Sequence, residues 1–180
     1  MKREKIFYIT AIAVLAAALV AALVYKRPLD IKTLTGVTEP DDIAITILKP
    51  DENMDLQQRD LTLSAGDEVF DELLARLEEL RFRRPPTNLI RIVLPFLPES
   101  GGEAQEWEDG EFQHLYILLS QPDGNGNRTS GHVEFFIDQW EYRDFDRSIM
   151  LPLAVENAKE TGQDLCAQIW EIATPVENDP

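Results

Sequence analysis

Twenty consecutive uncharged residues, Ile6 to Tyr25, constrain this chain more than any other feature, because a helix of them is stable in few environments. At 1.5 Å per residue such a helix is about 30 Å long, the thickness of a bilayer's hydrocarbon core. The stretch is therefore expected to be a transmembrane helix or signal anchor at 6–25. Lysine and arginine number three before it (Lys2, Arg3, Lys5) and three soon after it (Lys26, Arg27, Lys32), so the positive-inside bias is nearly tied. The basic n-region at 1–5 and the acidic remainder place the N-terminus inside and the domain outside the cytoplasm. A competing reading is a cleaved signal peptide, since Val20-Ala21-Ala22 offers the small residues a signal peptidase needs and cleavage near Ala22 gives a secreted chain. The apolar run passes that site and exceeds the usual ~7–15 residues of an h-region, which favours the anchor. Ala13, Ala17 and Ala21 fall at four-residue steps, a small-xxx-small pattern that lets two membrane helices approach.

The single cysteine, Cys166, excludes both a lipid-modified cysteine after the span and an intramolecular disulfide framework. Residues 28–180 hold 12 Lys+Arg and 32 Asp+Glu, a formal charge of 12 − 32 = −20. Such a charge repels polyphosphate backbones, and a nucleic-acid partner is not expected. The remaining length suits one domain with a core of its own.

Pro28 to Glu39 reads as a tether, within a linker assigned to 26–40. Ile43, Ile45 and Ile47 then alternate with Ala44, Thr46 and Leu48 as in a strand, and Arg59 to Leu63 alternates again across the polar Lys49–Asn53 turn. Ser64, with Asp67 three positions on, is expected to cap a helix whose apolar positions are Val69, Phe70, Leu73, Leu74, Leu77 and Leu80. Acids fill its first turns, Arg81, Arg83 and Arg84 its end, and Pro85-Pro86 stops it. Leu89 to Leu97 reads as an edge or extended segment and Glu99 to Glu111 as a surface loop.

Phe112 to Ser120 and Gly131 to Asp138 form a β-hairpin around Asp123-Gly124-Asn125-Gly126-Asn127. Its core face carries Leu115, Ile117, Leu119, Val133, Phe135 and Ile137; its outer face carries His114, Tyr116, His132, Glu134 and Phe136. Trp140 to Leu151 supplies one further strand or extended return. Val155, Ala158, Leu165, Ile169 and Ile172 mark a closing amphipathic helix that Gly162 weakens. The expected architecture is α+β: one acidic domain over 41–174 with an antiparallel sheet of about four to six strands, two helices packed on one face, and a flexible tail at 175–180.

The sharpest metal candidate is calcium at the 123–134 hairpin, where Asp123, Asn125, Asn127 and Glu134 occupy positions 1, 3, 5 and 12 of a calcium-loop pattern. Position 6 is Arg128 instead of glycine and the flanks read as strands, so a plain Gly/Asn turn explains the same residues. His114 is expected opposite Phe136 and His132 opposite Leu118, about 14 Å apart along the strands, independent and partly exposed. Ser120 and Ser148 lack a histidine or acid at a motif spacing, and Cys166 reads as a small buried hydrophobe. Acid pairs at Glu106-Trp107-Glu108-Asp109 and Glu141 to Asp146 could serve an envelope hydrolase, but such pairs arise by chance in so acidic a chain. Arg81-Phe82-Arg83-Arg84 is the one basic cluster of the domain, able to meet an anion, an acidic tail or a membrane surface. Asn127-Arg128-Thr129 matches a glycosylation acceptor. With no catalytic residue and no cofactor indicated, the favoured expectation is a non-catalytic, membrane-anchored domain that binds or supports a partner at the cell envelope.

Overall fold

The computed structural model describes residues 8, 10–16, 19–20, 25, 27–85, 110–144 and 149–175. Among the described residues beyond Tyr25 there are three helices, α1 (Ile31–Thr35), α2 (Glu68–Glu79) and α3 (Ala158–Trp170). Seven strands accompany them: β1 (Asp42–Pro50), β2 (Leu56–Ser64), β3 (His114–Pro122), β4 (Arg128–Phe136), β5 (Gln139–Asp144), β6 (Ile149–Leu153) and the two-residue β7 (Thr174–Pro175). They form one antiparallel sheet in the order β6-β5-β4-β3-β1-β2-β7. The α+β class holds. Among the described residues no helix is long and apolar enough to cross a membrane, and part of 6–25 lies outside them.

Alternation explains the sheet. Ile43, Ile45 and Ile47 pair across with Leu119, Ile117 and Leu115, and those in turn face Gly131, Val133 and Phe135. Apart from the glycine, these side chains are at most 2 % exposed. On that same face pack Phe70, Leu73 and Leu77 of α2 and Leu165, Cys166, Ile169 and Trp170 of α3, in one continuous core. The predicted register of His114 opposite Phe136 and His132 opposite Leu118 is the one observed.

Several expectations are corrected. The linker at 26–40 is not a tether from Leu29 onward: α1 buries Ile31 and Leu34, and Val37 follows them into the core. Asp30 caps this single turn, its Oδ1 accepting from the Thr33 N–H at 2.7 Å. Ser64 is not the cap of α2. It ends β2, and the N-cap is Asp67, whose Oδ2 reaches back to accept from the Ser64 N–H at 2.6 Å. Ile137 leaves the hairpin's core face because it sits in the β4–β5 turn at φ 59, a conformation a β-branched residue adopts at a cost. Trp140 to Leu151 supplies two strands, not one, and Pro152 of β6 is tolerated because β6 is a sheet edge. Pro175, the first residue of the expected tail, pairs with Arg59. Ile172 is exposed and lies past the end of α3.

The start of the domain is tied to the exit of α2. Leu29 and Phe82 exchange backbone hydrogen bonds, each 2.8 Å, and the Tyr25 hydroxyl donates to the Pro85 carbonyl at 3.0 Å. Leu89 to Leu97, the acid cluster 106–109 and Ala17 and Ala21 lie outside the described residues.

Candidate functional site

The outer face of β3, β4 and β5 gathers the domain's two histidines around one acid. Alternation puts His132 and Glu134 two residues apart on the same side of β4, and antiparallel pairing sets Tyr116 beside Glu134 and Arg143 beside His132. Glu134 Oε1 lies 2.8 Å from His132 Nε2 and 3.5 Å from an Arg143 guanidinium nitrogen, while Oε2 lies 3.3 Å from His114 Nε2. The Tyr116 ring covers His132 with centroids 3.8 Å apart, and Phe136 meets the edge of His114 at 5.8 Å.

This overturns the expectation of independent, partly exposed histidines. His132 is fully buried, Glu134 nearly so, and only His114 keeps a quarter of its side chain exposed. The separation along the strands is as expected, but Glu134 stands between the rings, its two oxygens 2.8 and 3.3 Å from their Nε2 atoms. Burial pushes the His132 imidazole down to about 4, helped by the nearby charges of Arg143 and His114 and opposed by Glu134. At neutral pH the ring is therefore neutral, with its Nε2 2.8 Å from the carboxylate. The Tyr116 hydroxyl is held above its usual range by burial first and by Glu134 second.

The calcium candidate is not assembled. Asp123 Oδ1 accepts from the backbone N–H groups of Asn125 at 2.8 Å and Asn127 at 3.0 Å, closing the turn locally. Those bonds, Asn125 first, hold the Asp123 carboxyl below its usual range. Gly124 and Gly126 supply the left-handed backbone there. Glu134 lies six residues into β4, about 20 Å from the strand's start, and is engaged by the histidines. Arg128 points back to Asp41 and Asp42 instead of towards the turn. Among the described residues no three His, Cys, Asp or Glu are grouped so as to hold a metal ion. Excess calcium, or a chelator, is expected to leave the thermal midpoint unchanged in differential scanning fluorimetry; a rise on adding calcium would show that the tip binds it after all.

Cys166 is fully buried in α3, and burial pushes its thiol up to about 12, which leaves it unreactive. An open groove of about 750 Å³ runs between the β1–β2 turn and Trp170, lined by Lys49, Asp51, Asn53, Met54, Gln57 and Gly110 among others. Of its two acids, Asp51 and Glu52, the first is occupied, accepting from the Asn53 and Asp55 N–H groups. The groove and the histidine cluster share no residue. Both carboxylates with lowered pKa, Asp30 and Asp123, serve local turns in separate parts of the fold. The groove itself brings no serine, cysteine or histidine beside its acids.

Sequence reasoning placed both histidines and Glu134 on one face but missed that they touch. The signal was present in the register, since Glu134 lies midway between the rings. Comparison with known proteins finds no family model, no curated protein and no solved structure that matches the chain.

Proposed function

We propose that this chain is a single-pass, membrane-anchored, non-catalytic domain that binds or supports a partner protein at the cell envelope. The observation that carries the reading is the state of the N-terminal apolar residues. Tyr8, Ile12, Val14, Leu15, Leu19 and Val20 are helical, yet 58–70 % exposed. None of them belongs to the domain's core cluster, whose first described member is Leu29. So many exposed apolar side chains on helical residues call for an apolar medium, and a bilayer supplies it.

The basic n-region at 1–5 favours the N-terminus inside and the domain outside the cytoplasm. The binding role draws on the chemistry of the domain: its buried thiol is inert, its titratable cluster shares no residue with the groove beside Trp170, and its acidic surface keeps it soluble beside a membrane.

Protease added to intact cells, with the mass of the membrane-bound chain read in parallel, tests this. Digestion of the domain from outside, on a chain that keeps its first residues, is the expected result. A chain beginning at Leu23 would mean a cleaved, secreted protein. Protection until the membrane is opened would place the domain in the cell interior.

A further inference from the structure

We infer that Arg27, Arg83 and Arg84 form a basic collar around the base of the apolar segment, and that its ligand is the anionic headgroup layer of the membrane. The inference rests on the anchoring proposed above. Arg81, Arg83 and Arg84 are far from the N-terminus in sequence, but the Leu29–Phe82 bridge returns them to it. Continuing that antiparallel register sets Arg27 opposite Arg84. The Tyr25–Pro85 hydrogen bond fixes the end of the apolar stretch at the same place, close enough that the Arg84 charge acts on the Tyr25 hydroxyl.

Favourable placement at a helix C-terminus accounts for only part of the cluster. Arg81 donates to the Glu78 and Leu80 carbonyls there, and Asp30 lies within reach of its charge. Lys32 is paired with Glu78 at 2.6 Å. Arg83 and Arg84 lie beyond the helix, Arg83 in a backbone bridge to Ala154. Among the described residues Arg27, Arg83 and Arg84 form no ion pair. The domain carries 32 acids, so pairing was available throughout its surface. Their charge is available at the level where the domain joins the apolar stretch, which the proposed anchoring sets at the bilayer surface. Phosphate oxygens at that depth match the guanidinium fork. The rest of the domain is repelled by the same surface, so the collar also sets which end faces the membrane.

The test uses the full chain with Thr33→Cys, an exposed position on α1 beside the collar, carrying an environment-sensitive dye; Cys166 is buried and stays unlabelled. The chain is reconstituted in vesicles of phosphatidylcholine alone or mixed with phosphatidylglycerol, and quenching by a headgroup-attached spin label is read. Quenching is expected to rise when phosphatidylglycerol is present and to fall again in high salt. Each basic residue near such a surface contributes a factor of about five, so Arg83→Glu with Arg84→Glu lowers the docked-to-undocked ratio by at least roughly 25-fold. Equal quenching of the unmodified chain in both vesicles, with the chain still co-floating, overturns the collar and leaves the anchor standing. A chain that fails to co-float with phosphatidylcholine vesicles overturns both.

Discussion

Gly162→Ala and Gly131→Ala are each expected to destabilise the domain by about 3 kcal/mol, measured as a shift in the urea midpoint at constant slope. For Gly162 the sign itself is diagnostic. Helix propensity alone predicts that alanine in the middle of α3 stabilises by about 1 kcal/mol. Packing predicts the reverse, because an added Cβ lies 2.3–2.5 Å from three atoms of the Phe135 ring. That ring has no room to turn away: it is fully buried and packed at a tilt against Trp140 at 5.3 Å, which Phe82 contacts in turn at 5.6 Å. At Gly131 the obstruction is backbone. A Cβ there falls 2.6 Å from the Thr35 carbonyl oxygen and 2.8 Å from its Cα, and the Thr35 hydroxyl is itself tied to the Ile31 carbonyl at 2.7 Å. Relief requires α1 to lift off the sheet, so Gly131→Ala should also expose Ile31 and speed amide exchange in α1. A gain in stability for Gly162→Ala, or a change within about 0.5 kcal/mol at either site, would show that helices and sheet are not packed this closely.

The same two glycines show where sequence reading stops. Gly162 looked like a weak point in a helix because propensity is local, whereas its reason is a ring on another element 27 residues away. The β3–β4 hairpin was legible to the register, since its information is concentrated in Asp123 to Asn127 and in alternation on both arms. The apolar stripe of α2 was legible too, but its cap was not, because Ser64 and Asp67 satisfy the same capping pattern with either one as donor partner. The single turn of α1 is too short to show a period. Ile137 kept the phase of a strand and yet lies in a turn, which no pattern of apolar residues reports. At the candidate site the residue types and their shared face were legible. Their burial was not, because an outward face of an antiparallel sheet is ordinarily solvated.

Acidification from pH 7 to pH 4.5 is expected to cost the domain a large part of its stability through His132. In the folded chain burial, with Arg143 on β5 and His114 on β3, holds this imidazole near 4 against a reference of 6.5; Glu134 on β4 opposes them without prevailing. The folded state therefore keeps the ring neutral where the unfolded chain already binds a proton. Unfolding takes up that proton throughout the interval, so stability is complete above about 6.5 and declines as pH falls towards 4. A displacement of this size is worth on the order of 3 kcal/mol. Asp30 and Asp123, whose carboxyls are held low by backbone N–H groups, lose their contributions only further down, below the carboxylate reference of 3.8. The interval from pH 5 to 7 therefore belongs chiefly to His132. Urea denaturation across that interval, for the native chain and for His132→Gln, isolates the effect. Glutamine keeps a donor for Glu134 and removes the titration, so the variant is expected to be less stable at pH 7 but to lose much less on acidification. Parallel pH profiles for the two proteins would mean that His132 protonates in the fold as readily as in water, and that Glu134, not burial, governs the cluster.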